Sequence, residues 1–203
     1  MKRIKYLLLV MSFALCGCVG DILESKVVEP QVYVLHTTDT AIAKVAYPVQ
    51  LNVGLPQAAP GLDSTRIAVL RNGNELDYYF GARWGGTAPQ VVQAFVVELL
   101  QSQQGYKGVA SEGARVDADY LLALELRDFQ AEYASDKANP IVHVTVVGTL
   151  INIKSRKVLA TVTASSQSPA KDNRLSAVVG AFQSATQQAS VSLSEQLAVR
   201  LAQ

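Results

Sequence analysis

The chain has 203 residues and carries 18 Lys or Arg against 17 Asp or Glu, a formal net charge of +1. This near balance excludes the strongly basic surface that nucleic-acid-binding domains use. Hydrophobic residues make up 49% of the chain, which is enough to form the core of one ordinary domain and argues against intrinsic disorder.

The N-terminus has the pattern of a secretory signal. Lys2, Arg3 and Lys5 are basic, and an apolar run follows from Tyr6 to Leu15. The run is too short to cross a bilayer, which needs about 20 apolar residues. It therefore predicts a signal peptide that is removed from the mature protein.

The next four residues, LCGC from Leu15 to Cys18, resemble the lipobox of bacterial lipoproteins. In such proteins the signal is cut before the last cysteine, which then carries acyl chains such as palmitate. We therefore expect a signal peptide over residues 1–17 and a covalent lipid on Cys18, with no other cofactor. The alternative is an ordinary signal peptide with two incidental cysteines.

Processing would leave a membrane-anchored chain without a free thiol. Cys16 would leave with the signal and Cys18 would be acylated, so no disulfide, thiolate metal site or catalytic cysteine is expected. Two or more acyl chains hold a protein stably on a membrane. Val19 follows the cysteine, where an aspartate typically retains lipoproteins in the inner membrane, so we expect the periplasmic face of the outer membrane.

The remaining chain predicts a flexible tether over 18–30 and one domain over 31–203. Thr87 and Gln90 have capping-box spacing before a helical pattern of apolar residues, and Asn72-Gly73 is a typical hairpin turn. We predict a single α/β domain with a mixed β-sheet packed by two main helices. The predicted strands cover 31–36, 47–53, 67–71, 75–80, a short stretch near Val109, 120–133, 141–153 and 157–166, and the helices begin after Thr87 and near Asp172.

Four aromatic residues fall within the seven positions from Tyr78 to Trp84. Strand alternation predicts that Tyr78 and Phe80 face the core and that Tyr79 points outward or under a neighbouring element. Two alternatives remain for Trp84. It either plugs the helix–sheet junction with Arg83 stacked over it, or it forms a partner interface with Tyr79 and Arg83, since Trp, Tyr and Arg dominate interface hot spots.

No catalytic motif or metal-site spacing is recognisable. His36 and His143 lie in separate predicted strands, and Glu125 and Asp128 are expected on opposite strand faces. We therefore expect neither an enzyme nor a metal site. A weaker alternative is a phosphate site at the helix start after the glycines, with Arg83 beside it; these glycines are Gly81, Gly85 and Gly86.

The chain resembles the ABC-type transport auxiliary lipoproteins, which accompany MCE-type lipid-transport systems of Gram-negative bacteria. The lipobox at Cys18, the segment NELDYYFGARW (Asn74–Trp84) before a helix, and the strand LLALELRDFQAEY (Leu121–Tyr133) carry the resemblance. Gly85-Gly86 departs from the family pattern.

This resemblance implies a non-enzymatic periplasmic subunit that docks an ABC/MCE-type lipid-transport machine to the outer membrane. The implied partners are an MCE-domain protein with its ABC permease and ATPase, a second copy of the chain being possible. The alternatives are a lipid-binding carrier lipoprotein with its own apolar cavity and a periplasmic hydrolase.

Overall fold

The computed structural model describes residues 29–38, 41–135 and 138–202. The predicted signal peptide, Cys18 and most of the predicted tether lie outside these ranges. The described residues form one mixed sheet with two main helices, which confirms the predicted fold class. Its elements are β1 (Gln31–Tyr33), β2 (Tyr47–Val53), β3 (Gln57–Ala58), β4 (Arg66–Arg71), β5 (Glu75–Trp84), α1 (Ala88–Ser102), β6 (Tyr106–Ser111), a 3₁₀ turn (Glu112–Ala114), β7 (Tyr120–Tyr133), β8 (Ile141–Asn152), β9 (Lys157–Pro169) and α2 (Leu175–Leu201).

Strand β7 is the centre of the sheet. Along one edge it pairs antiparallel with β8, which in turn pairs with β9. Along the other edge, β2, β3 and β4 each run parallel to a successive stretch of β7. The sheet therefore divides into two arms on that side. The β2–β6 arm lies at the start of β7, and the β4–β5–β1 arm lies at its end.

One face of the sheet is covered by the helices. Helix α2 packs mainly on β8 and β9, while α1 packs on β6 and contacts α2. A Cβ atom on Gly148 of β8 would lie 2.9 Å from Leu193 Cδ1 and 3.0 Å from Leu122 Cδ1. A Cβ atom at this position would therefore have to displace these two leucine side chains, because helix and sheet approach closely there. The buried stripe of α2 is rich in small residues, which permits the same close approach: Ala181, Ala185, Thr186, Ala189 and Ser190.

The predicted helix boundaries are close to those observed. The Thr87 N–H donates to Gln90 Oε1 at 2.9 Å, as the capping-box spacing predicted. Helix α1 ends at Ser102, and Gln104 takes the left-handed conformation with φ of 54°. Gly105 follows this left-handed residue, so the turn out of the helix is made by Gln104 and not by a glycine.

The first strand is shorter than predicted, ending at Tyr33 rather than His36. Beyond it the backbone is held by glutamines of α2 and no longer by a strand. The His36 N–H donates to Gln183 Oε1 at 3.1 Å, Gln183 Nε2 donates back to the His36 carbonyl, and the Thr38 N–H donates to Gln187 Oε1 at 3.2 Å. The polar side of α2 therefore fixes the segment that leads away from β1. Neither helix of the described chain has the length and apolarity needed to cross a membrane.

Candidate docking surface

The predicted hairpin between β4 and β5 is confirmed. Asn72 and Gly73 have φ values of 51° and 78°, the left-handed conformations that a tight hairpin turn requires. Arg71 lies opposite Glu75, and Asn72 Nδ2 donates to Glu75 Oε2 at 2.8 Å. The turn therefore sets the register of the first half of β5.

A large bulge interrupts β5 after Tyr78. Ala68 of β4 lies opposite Tyr78, but Arg66, two residues earlier, lies opposite Arg83. Residues 79–82 thus face a single β4 residue, Ile67, and the excess chain loops outward. Gly81 within the bulge has φ of 67°, which glycine adopts without steric penalty.

The bulge overturns the predicted core position of Phe80. Its side chain is 99% exposed, because the looped-out backbone breaks the alternation of strand faces between Tyr78 and Arg83. Tyr78 is only half-buried: its hydroxyl donates to the Gly61 carbonyl at 2.9 Å, and the Arg66 guanidinium lies 3.5 Å from its ring centroid. Tyr78 therefore packs at the margin of the core.

Trp84 occupies the junction of sheet and helix. It is 1% exposed, and its ring centroid lies 5.5 Å from that of Phe129 on β7 and 5.1 Å from that of Phe182 on α2. Phe129 and Phe182 lie 5.0 Å apart, which closes an aromatic triad. The core alternative for Trp84 is confirmed. Arg83 does not stack over it, because consecutive strand residues face opposite ways and Arg83 is exposed.

Tyr79 is half-buried within the arm and packs against the core, so of the two predicted positions it does not take the outward one. Its hydroxyl lies 2.9 Å from that of Tyr133, which also hydrogen-bonds Asn173, and the Arg71 guanidinium lies 5.0 Å from the Tyr133 ring. Burial and the Tyr133 hydroxyl raise the pKa of Tyr79 well above its usual value. Tyr79, Arg83 and Trp84 therefore do not lie together on the surface of this chain, since of the three only Arg83 is exposed.

The glycines before α1 are explained by packing within the protein. A Cβ on Gly85 would lie 3.1 Å from Val34 Cγ1, and one on Gly86 would lie 2.9 Å from Gln90 Oε1, the capping atom. Without a Cβ atom at these positions, Val34 just after β1 can pack against Gly85, and the capping side chain of Gln90 can pack against Gly86. The structure thus gives the two glycines a local role that involves no phosphate.

The carboxylates of β7 correct another expectation. A bulge after Leu126 brings Glu125 and Asp128 onto the same face, opposite Val147 and Thr145 of β8. Glu125 is bound by Arg127 at 3.0 Å, which lowers the pKa of that carboxyl. Among the residues that the structure describes, no three His, Cys, Asp or Glu side chains are grouped to hold a metal.

A half-open cavity of about 470 Å³ lies between residues 41–47 and α2. Its apolar wall includes Ile42, Val45 and Val191, while Lys44 and Glu195 supply charge. The Tyr47 hydroxyl closes one side by donating to the Ala198 carbonyl at 2.7 Å. The cavity is distant in sequence from β5, and the aromatic motif of the sequence did not point to it.

The chain is similar to one protein family and to several solved structures. A family model described as ABC-type transport auxiliary lipoprotein component matches residues 33–194. No curated protein matches the chain. The crystal structure of protein XCC0632 from Xanthomonas campestris is similar, with 27% identity over 85% of this chain and 94% of that chain and a TM-score of 0.71.

Two further solved structures are more distant. An uncharacterized protein has 14% identity over 83% of this chain and 99% of its own, with a TM-score of 0.65. The PelC dodecamer from Paraburkholderia phytofirmans has 14% identity over 74% and 90%, with a TM-score of 0.44. Because the family model covers most of the chain, this chain belongs to the ABC-type transport auxiliary lipoprotein family.

Proposed function

We propose that the chain is a non-enzymatic periplasmic lipoprotein subunit of an ABC/MCE-type lipid-transport system and that it docks the machinery to the outer membrane. The observation that carries this proposal is the family match over residues 33–194, preceded by the LCGC motif at Leu15–Cys18. The partners would be an MCE-domain protein and its ABC permease and ATPase. The lipid on Cys18 would provide the attachment.

The described side chains suit a binding subunit better than a hydrolase. The backbone of His36 is held by Gln183, and His143 Nε2 lies 3.4 Å from Glu132 Oε2 on the open face of the sheet. No serine, threonine or cysteine is hydrogen-bonded to either histidine among the described contacts. A nucleophile activated by a neighbouring base would require such a contact.

The attachment is tested by paired alanine substitutions. Cys18→Ala should abolish incorporation of labelled palmitate and release the protein from outer membranes after an alkaline wash. Cys16→Ala is the matched control, because an alanine is a small residue that the lipobox accepts at this position, and it should leave labelling and fractionation unchanged. A Cys18→Ala protein that is still labelled and still sediments with outer membranes would contradict the proposal.

The second candidate function is a lipid carrier, favoured by the cavity beside α2. Its apolar wall could take an acyl chain, although Lys44 and Glu195 at its lining lower its apolar character. The docking proposal predicts that organic extraction of the purified protein releases no tightly held phospholipid. One phospholipid per chain, lost when Ala198→Trp fills the cavity, would favour the carrier function instead.

A further inference from the structure

Phe80 is the most exposed of the large hydrophobic side chains described, at 99% of its surface. The bulge of residues 79–82 lifts it out of the sheet, and the left-handed Gly81 beside it allows the backbone to do so. Such a side chain adds nothing to the core, and its apolar surface remains in water. A bulge that re-aims one side chain is typical of a functional position.

The chain enters the domain beside this bulge. β1 runs parallel to β5, and Gln31 lies opposite Ala82, two residues after Phe80. The chain just before Gln31 therefore points along β5 in the direction of Phe80. Cys18 is 13 positions before Gln31, so a fully extended chain spans at most about 45 Å between them. A lipid on Cys18 therefore keeps this edge of the sheet within about 45 Å of the bilayer, a reach that permits contact.

The neighbouring surface is apolar and basic. Val32 and Val34 are 53% and 55% exposed, and Val32 lies opposite Arg83, which in turn lies opposite Arg66. Both arginines are exposed. An acidic residue, Glu29, lies in the chain just before β1. Phenylalanine is among the apolar residues that bury at the boundary of lipid headgroups and acyl chains, and guanidinium groups bind phosphate oxygens. This combination fits a phospholipid surface.

We propose that the bulge is a second membrane contact, with Phe80 inserted among the lipid headgroups and with Arg66 and Arg83 on lipid phosphates. This inference rests on the proposed lipidation of Cys18, and it assigns Arg83 to the bilayer rather than to a protein partner. It also sets an orientation. The β8–β9 hairpin lies at the opposite end of β7 from the β4–β5 arm, because Asn152 pairs with Tyr120 whereas Arg71 pairs with Tyr133. That hairpin should point away from the membrane.

Depth-dependent quenching tests the contact. The full chain with Phe80→Trp would be reconstituted into vesicles of phosphatidylethanolamine and phosphatidylglycerol that carry brominated acyl chains. The native Trp84, 1% exposed, gives the background, and Val158→Trp at the exposed β9 position is the matched control. Strong quenching is expected for Phe80→Trp, with the parent and Val158→Trp unchanged. Equal fluorescence of Phe80→Trp with and without bromine would overturn the inference.

A second arm does not depend on the anchor. Binding of the Cys18→Ala protein to the same vesicles, without bromine, should weaken by about 10-fold to 100-fold after Phe80→Ser, the range set by burying one Phe side chain. Arg83→Glu should weaken it at least about fivefold, and Lys157→Glu should not. If the anchored protein floats with vesicles but Phe80→Ser binds as the parent does, the inference fails while the proposed lipidation stands. If Phe80→Ser instead abolishes self-association or capture of a protein partner without vesicles, Phe80 belongs to a protein interface and the inference is wrong.

Discussion

The aromatic triad at the helix–sheet junction predicts a large and specific loss of stability for Phe182→Ala. Phe182 is fully buried on α2, and its ring contacts those of Trp84 and Phe129 at centroid distances of 5.1 and 5.0 Å. Truncation of a buried phenylalanine costs about 3–5 kcal/mol in lost burial and residual cavity. Because two aromatic contacts are lost in addition to the burial, we expect the upper part of that range, about 4–5 kcal/mol.

The matched control is Ser176→Ala, which changes an exposed residue in the first turn of the same helix. For a domain of this size each kcal/mol lowers the melting temperature by about 2–4 °C, so Phe182→Ala should lower it by about 8–20 °C. Ser176→Ala should shift it by less than about 2 °C. Both would be followed by circular dichroism and by urea unfolding. Equal shifts for the two variants would show that α2 does not pack through Phe182, which would refute the reasoning.

Three further predictions concern the arm and the segments beside the helices. Gly81→Ala should destabilise the domain by about 1–2 kcal/mol, because its φ of 67° penalises a Cβ atom, whereas Gly113→Ala in the 3₁₀ turn should be nearly neutral in urea unfolding. Burial raises the pKa of Tyr106 to about 12. The folded state therefore holds the tyrosine proton more tightly than the unfolded chain does, so the free energy of unfolding should fall as pH rises from about 10 to about 12. Tyr106→Phe should reduce this fall, measured as the change in the urea midpoint with pH. Gln183→Ala removes both hydrogen bonds to the His36 backbone, so amide exchange at residues 34–38 should accelerate. The global unfolding free energy should fall by only about 1–3 kcal/mol. Unchanged amide exchange at these residues would contradict the assigned contacts.

The regular elements followed from local pattern, and they were predicted well. The Asn72-Gly73 turn needs positive φ angles, and the cap at Thr87 needs the Gln90 side chain three residues later. Both features therefore depend on a few neighbouring residues. The long strands and α2 followed from the spacing of apolar residues. Trp84 reached the core, as one of the two sequence alternatives predicted.

The errors arose where one extra residue or more changed the alternation of a strand. The bulge in β5 moved Phe80 from the predicted core face to nearly full exposure, and the bulge in β7 put Glu125 and Asp128 on one face. Bulges depend on the register of the partner strand, which local pattern does not contain. Gly81 was the one visible sign, since a glycine within a strand often marks a bulge. The cavity beside α2 combines residues from the 40s with residues from the 190s, and no local motif joins them.

The central claim is that this lipoprotein docks an MCE-type machine to the outer membrane, and its most direct test is capture of that partner. Outer membranes, inner membranes and the soluble periplasm would be separated from cells that express either the tagged wild-type chain or Cys18→Ala. The MCE-domain protein bound to the tagged chain in each fraction would be quantified by mass spectrometry. The proposal predicts that wild type captures the MCE-domain protein from outer membranes, and that Cys18→Ala captures it from the soluble or inner-membrane fraction while its outer-membrane share falls. Wild-type protein that is abundant in outer membranes yet captures no MCE-domain protein above an untagged control would contradict the claim.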